Sequence, residues 1–137
     1  MKRLINITGL SGSGKTTFAL WLEQETGGVA IAADDFFLSR DGTYQFQPAL
    51  LPEAHKWCQG RVWDALIVDD DQTVIVHNTG LTQKERQVYR DIAQECGAQY
   101  TELIVNTDLS DDQLAARNAH GLTSDQIANQ RRKQRGG

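Results

Sequence analysis

The 137-residue sequence is poor in the devices that hold small or unusual proteins together. It has two cysteines, Cys58 and Cys96, far apart and in no metal-ligand spacing. That excludes a disulfide scaffold or a cysteine-based zinc module and fits free thiols in a reducing cytoplasm. Its longest apolar stretches, such as 29–33 and 65–68, fall far short of the roughly 18 residues that cross a bilayer, so no membrane span is expected. Met1-Lys2-Arg3 imitates the basic start of a secretory signal, but Asn6 and the polar segment from Ser11 to Lys15 interrupt the apolar run too early. Charge of neither sign dominates: 14 Lys+Arg stand against 18 Asp+Glu, a formal net charge of -4. The mild acidity argues against a surface that coats nucleic acid but leaves a local basic site open. With 39% hydrophobic and 23% charged residues, the chain has the composition of a folded soluble domain and not of a disordered one. A single domain of this length removes roughly 68% of its unfolded surface from water, enough for a core without staples.

What is present is an alternation of strand and helix. Leu4 to Thr8 reads as a strand, Gly9 to Gly14 breaks it, and Phe18, Trp21, Leu22 and Glu25 follow at helical spacing. Gly27-Gly28 ends that helix. The run from Val29 to Ala33 has the continuous apolarity of a buried parallel strand and stops at Asp34-Asp35. An apolar face from Leu50 to Leu66 marks a long helix, with Pro48 in its first turn. Strands are expected at 73–77 and 99–105. Three later helices begin with capping boxes, Thr82 with Glu85, Ser110 with Gln113, and Thr123 with Gln126; the last two add staples, Leu109 to Leu114 and Leu122 to Ile127. Four strands in such an order imply an α/β fold, a parallel sheet with helices on both faces.

One motif carries chemistry. Gly9-Leu10-Ser11-Gly12-Ser13-Gly14-Lys15-Thr16 matches G-x-x-x-x-G-K-[ST] in full, between a predicted strand and a predicted helix. In that context the backbone N–H groups of the loop converge on phosphate oxygens, and the helix start adds partial positive charge. Lys15 would meet the β and γ phosphates, and Thr16 would offer its hydroxyl to Mg²⁺. In an open parallel sheet ligands bind beyond the carboxyl ends of the strands. Asp34 and Asp35 after the second strand, and His77, Asn78 and Thr79 at the end of the third, should therefore face the loop. A carboxylate there can take a proton from an attacking hydroxyl or hold a metal's waters; a cap or turn role is the better reading of Asp35.

These residues resemble a known family. The loop from Gly9 to Thr17, then Asp34-Asp35-Phe36-Phe37, Asn78-Thr79, and Ala116-Arg117-Asn118 before His120-Gly121 look like the small P-loop kinases related to the polynucleotide 5'-hydroxyl kinase of T-even phages. The stretch from Tyr44 to Pro48, running into Ala54-His55-Lys56-Trp57, is closer still to uncharacterised AAA-type ATP-binding members of that group in phages and animals. The resemblance covers nearly the whole chain. It implies a three-layer P-loop NTPase sandwich over 1–137 with a helical lid at about 108–135. It also implies ATP and Mg²⁺ as cofactors, with Gly9, Ser11, Gly12, Ser13, Gly14, Lys15, Thr16 and Thr17 holding the nucleotide and Thr16 the metal. Asp34 would be the general base, Asp35, Asn78 and Thr79 would lie beside the acceptor, and Arg117 would neutralise the moving phosphoryl group from the lid. Position in the chain supports Arg117 independently, since it ends a capped helix just before a short turn.

The expected activity is a cytoplasmic phosphotransferase passing the γ-phosphoryl of ATP to a hydroxyl, with a nucleic-acid 5'-hydroxyl as favoured acceptor. The alternatives are a nucleoside, nucleotide or other small-molecule kinase, a P-loop ATPase without an acceptor, and a nucleotide-binding module without turnover. Two departures bear on the acceptor. The phage kinase has an arginine where Phe37 stands, with Arg40 nearby but off register, and relatives often carry an acid where His77 stands. His77 itself reads as a satisfied strand-end histidine. The basic stretch Arg131, Arg132, Lys133 and Arg135 reads first as a solvated helix end, with phosphate contact as the sharper alternative. Trp57 and Trp63 read as core.

Overall fold

The computed structural model describes residues 1–38, 42–117 and 122–136. Strand β1 (Arg3–Thr8) leads through the glycine loop into helix α1 (Lys15–Thr26), and β2 (Val29–Ile31) follows. A 3-10 turn (Ala33–Phe37) and a second (Pro48–Leu50) precede α2 (Leu51–Val68) and β3 (Thr73–Val76). The chain closes with α3 (Gln83–Cys96), β4 (Gln99–Ile104), α4 (Asp111–Arg117) and α5 (Ser124–Gly136). All four strands are parallel, in the order β2-β3-β1-β4. The expected parallel sheet and its alternation with helices are therefore present.

The side-chain period of a strand, two, sorts the sheet's apolar residues onto two faces. Leu4, Ile31, Val74 and Val76 point one way and pack against α2 and α3. Ile7 and Ile75 point the other way, onto Ala19 of α1. Helix α2 buries Ala54, Cys58, Val62 and Leu66, each four residues from the last, which lays one stripe along the sheet. Full burial of each Val or Leu in such a stripe stabilises the fold by roughly 1.5–3 kcal/mol. A smaller cluster, Leu10, Leu81, Leu114 and Ile127, joins α4 and α5 to the glycine loop, with the expected staple partners Leu109 and Leu122 against it. Trp57 and Trp63 lie against the larger core, as their spacing implied. Cys58 is buried, Cys96 is partly buried, and both are free thiols.

The elements differ from the sequence reading in several details. Strand β2 stops at Ile31, because the chain turns into a 3-10 helix that already contains Asp34 and Asp35. The long helix begins after a separate 3-10 turn at Pro48, and its own second residue is Pro52, a position where the missing N–H costs nothing. The capping boxes of α4 and α5 close as expected: Ser110 and Gln113 exchange hydrogen bonds, as do Thr123 and Gln126. At α3 the Thr82 hydroxyl accepts from the Glu85 N–H, but the Glu85 carboxylate reaches past Thr82 to the N–H of Leu81.

A cleft at the carboxyl ends of the strands

The glycine loop sits where β1 ends and α1 begins, and its geometry follows from its glycines. Gly14 caps α1 with φ +103, a conformation that costs other residues dearly, and a Cβ there would meet nothing within 4 Å. The space in front of the helix start is thus open. Gly12, at φ +81, is the opposite case: a Cβ would stand 2.6 Å from the Leu114 carbonyl oxygen. Helix α4 rests directly on the loop at that point. The loop is tied to the end of β3 by the Gly9 N–H, which donates to the Thr79 carbonyl at 3.0 Å.

Lys15 is 8% exposed, and its ammonium donates to the Leu10 carbonyl at 2.8 Å. The same carbonyl accepts from the Ser13 N–H at 3.1 Å. Burial pushes the Lys15 ammonium down from its ordinary 10.5 to about 8, opposed by the negative charge of Asp34. A buried cation at a helix start is an anion site waiting for its charge.

In front of it opens a cleft of about 560 Å³. The loop and α1 contribute Ser11, Gly12, Gly14, Lys15, Thr16 and Thr17 to its walls. Asp34 stands on the 3-10 turn after β2, and His77, Asn78 and Thr79 come from the end of β3. Arg117, the last residue of α4, lines the cleft from the lid side, together with Leu122 and Gln130. Of the residues singled out from sequence, these are brought together. Gly9 and Ser13 are not on the wall: Gly9 is spent on the tie to β3, and the buried Ser13 hydroxyl has no hydrogen-bond partner among the described residues. Arg40 and the stretch 118–121 lie outside the described residues.

Two expected acceptor contacts have structural employment. The Asp35 carboxylate accepts from the Ala32 N–H at 3.1 Å and so caps its own 3-10 turn, the reading preferred for it from sequence. It reaches a smaller adjoining cavity of about 280 Å³, shared with Thr16, Asp34, Tyr44 and His77. The Asn78 amide oxygen accepts from the Ala33 N–H at 2.8 Å, while its nitrogen donates to the Tyr89 hydroxyl at 3.1 Å. Tyr89 in turn donates to the buried Cys58 thiol at 3.4 Å, which burial keeps protonated by raising its pKa. Through this chain Asn78 fixes the turn that carries Asp34.

Other residues enter the site with little sequence signal. The Tyr44 hydroxyl donates to Asp34 at 3.4 Å; burial, and then the Asp34 charge, push its pKa up to about 12, so it remains a donor. Tyr44 and Phe46 stand nearly parallel, 6.4 Å apart at 9°, and with Leu51 and His55 they wall the cleft on the Asp34 side. Gln130 of α5 accepts from the Ser11 N–H and donates to the Ser11 hydroxyl, both at 2.9 Å, clasping the lid to the loop. His77 at the strand end finds its partner across the cleft, its Nδ1 lying 3.4 Å from the Thr16 hydroxyl. Burial lowers its pKa, with the Asp35 carboxylate opposing. Arg131 is not a solvated charge: it donates to Asp111 and to the Leu109 carbonyl, both at 2.6 Å, and binds α5 to α4.

The donor set fits a triphosphate and a hard divalent cation. Lys15 and the open space before Gly14 suit phosphate oxygens, and the exposed Thr16 hydroxyl with Asp34 nearby offers the oxygen ligands that Mg²⁺ prefers. Among the described residues no group of three His, Cys, Asp or Glu side chains could hold a metal alone. A cation here would therefore need phosphate oxygens beside whatever ligands the protein supplies.

Comparison with known proteins identifies the family and the fold. The model of a family described as an AAA domain matches residues 4–136. NEDD4-binding protein 2 of Homo sapiens is 33% identical over 129 residues, 90% of this chain; the chain spans only 7% of that relative's length. Among solved structures, a chain of the Pnkp1/Rnl/Hen1 RNA repair complex superposes with TM-score 0.75 at 21% identity, covering 98% of this chain and 44% of that one. The Mycobacterium tuberculosis APS kinase CysC in complex with AMPPNP and APS gives 0.63 at 22% identity, over 88% and 70% of the two chains. A gluconokinase from Sinorhizobium meliloti 1021 gives 0.64 at 17%, over 96% and 74%. The shared feature is the α/β P-loop kinase fold. Among the described residues no helix is long and apolar enough to cross a membrane.

Proposed function

The chain belongs to this AAA domain family and has the P-loop kinase fold, and from that premise we propose that it passes the γ-phosphoryl group of ATP to a hydroxyl, with a nucleic-acid 5'-hydroxyl as the favoured acceptor. The observation that carries the reading is the convergence in one cleft of three kinds of group. Lys15 and Thr16 of the glycine loop, the Asp34 carboxylate and Arg117 at the end of α4 all line it. In the reaction Asp34 accepts the acceptor's proton as its oxygen bonds to the γ-phosphorus, and the bond to the ADP oxygen breaks. Lys15 and Arg117 neutralise charge on the phosphoryl oxygens. Tyr44, donating to Asp34, orients the carboxylate. Mg²⁺, held through Thr16, would add further charge neutralisation at the phosphates.

The acceptor assignment draws support from the aromatic wall, because near-parallel rings lining the cleft, the half-buried Tyr44 and the more exposed Phe46, suit a nucleobase better than a sugar. The neighbour in an RNA repair complex points the same way. A second reading, a free nucleoside or nucleotide as acceptor, is favoured by the scarcity of cations. Among the described residues lining the cleft, only Lys15 and Arg117 carry a fixed positive charge, whereas a polymer brings further phosphates.

Incubation with γ-labelled ATP and Mg²⁺ should place label on a 5'-hydroxyl oligonucleotide. Label on nucleosides alone would select the second reading, and label appearing only as free phosphate across an acceptor panel would show an ATPase. Asp34→Asn should keep affinity for an ATP analogue within a few-fold while transfer falls about 10²–10⁴-fold. Unchanged turnover would remove Asp34 from the chemistry.

A further inference from the structure

Neither core packing nor a cap explains the placement of His77 in the cleft. Its backbone N–H donates to the Ile31 carbonyl at 3.2 Å, so the sheet fixes where the side chain starts. From there the ring leaves the strand end and brings Nδ1 to 3.4 Å from the Thr16 hydroxyl oxygen. Asp34 and Asp35 border the same small cavity, which makes it a place of negative potential beside the phosphate loop.

Two adjacent ligands of an octahedral ion, each about 2.1–2.2 Å from it, lie about 3 Å apart. The Thr16–His77 separation is close enough that a few tenths of an ångström bring both atoms onto one ion. We propose that His77 Nδ1 is a nitrogen ligand of the divalent cation at the phosphate site, and that it turns the site's preference from Mg²⁺ toward Mn²⁺ and Co²⁺. The chemistry follows from ligand type: Mg²⁺ is a hard ion that takes oxygen, whereas imidazole suits the borderline first-row ions. A hydroxyl, phosphate oxygens and one imidazole make a mixed set that Mn²⁺ and Co²⁺ accept without loss. The proposal rests on the reading of this cleft as a nucleotide site.

The test uses the full chain with β,γ-methylene ATP, whose bridge carries no nitrogen, at saturating Mn²⁺ or saturating Mg²⁺. The Mn²⁺ form should bind about tenfold more tightly than the Mg²⁺ form, a typical effect for a ligand-shell change. Pulsed electron paramagnetic resonance of the Mn²⁺ complex should show a directly coordinated imidazole nitrogen. Both signals should disappear in H77Q, and H77D should restore the preference for Mg²⁺; circular dichroism checks that each variant folds. Tight binding with no imidazole coupling and equal affinity for the two metal forms would overturn the role of His77 and leave the nucleotide site standing. No binding with either metal would overturn the nucleotide site and this proposal with it.

Discussion

Lys15 is held in a state that costs the ligand-free protein stability. Between pH 8, near its folded pKa, and 10.5, its ordinary value, the unfolded chain binds the proton that the folded chain releases. Stability of the ligand-free protein should therefore rise with pH through that window and be lost again as pH falls through about 8. Above pH 10 the trend turns, because Tyr44 and Tyr100 are pushed up to about 12 when folded and ionise more readily when unfolded. Lys15→Met should be more stable than the parent at pH 7 by about 1–3 kcal/mol, less the lost bond to Leu10, and should lack the rise. Urea unfolding at pH 7 and pH 9.5 measures both; a variant no more stable than the parent at pH 7 would show that burial of the charge is not costly. If the cleft holds ATP as proposed, the same variant should also lose nucleotide binding.

At the scale of elements, the loop and its flanking strand and helix could be read from eight consecutive residues, because the motif's glycines and its Lys-Thr pair occupy fixed places on one turn. The lid helices were equally plain, since a capping box is a local code: Ser110 with Gln113 and Thr123 with Gln126 close as the spacing requires. The end of β2 was not, because Ala32 and Ala33 suit a strand or a 3-10 turn alike, and the choice is made by Asp35 and Asn78 capping their N–H groups. Asn78 shows the same limit on the site side. Its position after a strand was visible, but its commitment to Ala33 and Tyr89 depends on residues 45 positions earlier and 11 later. The contact between Gly12 and Leu114, 102 positions apart, likewise has no local signature. Gly12→Ala adds a methyl against the Leu114 carbonyl and strains a positive φ, so it should lower stability by about 1–3 kcal/mol and loosen α4 from the loop. Thermal melting and amide exchange in α4 check this; unchanged exchange there would mean that the loop, and not the helix, gives way.

For the whole molecule, the parallel sheet and its helical layers followed from alternation, whereas the order of the strands and the cleft's far wall did not. Tyr44, Phe46, His55 and Gln130 reach the cleft from three separate segments, and nothing in their spacing brings them together. Arg117 is placed by the same long-range packing, since α4, which it ends, lines the cleft from a part of the chain remote from Asp34. Arg117→Ala should slow transfer about a thousandfold or more. It should leave intact the stabilisation by bound nucleotide, about 2.7 kcal/mol at a hundredfold excess over Kd. An unchanged kcat would remove it from the reaction. The contact between Phe36 and Trp57, ring centres 6.0 Å apart, ties the turn that carries Asp34 to an indole on α2, with the Arg61 guanidinium 5.8 Å over that ring. Trp57 is thus an optical gauge of that turn's position: a ligand that shifts the turn alters its emission, read cleanly once the exposed Trp21 and the core-packed Trp63 are replaced by phenylalanine.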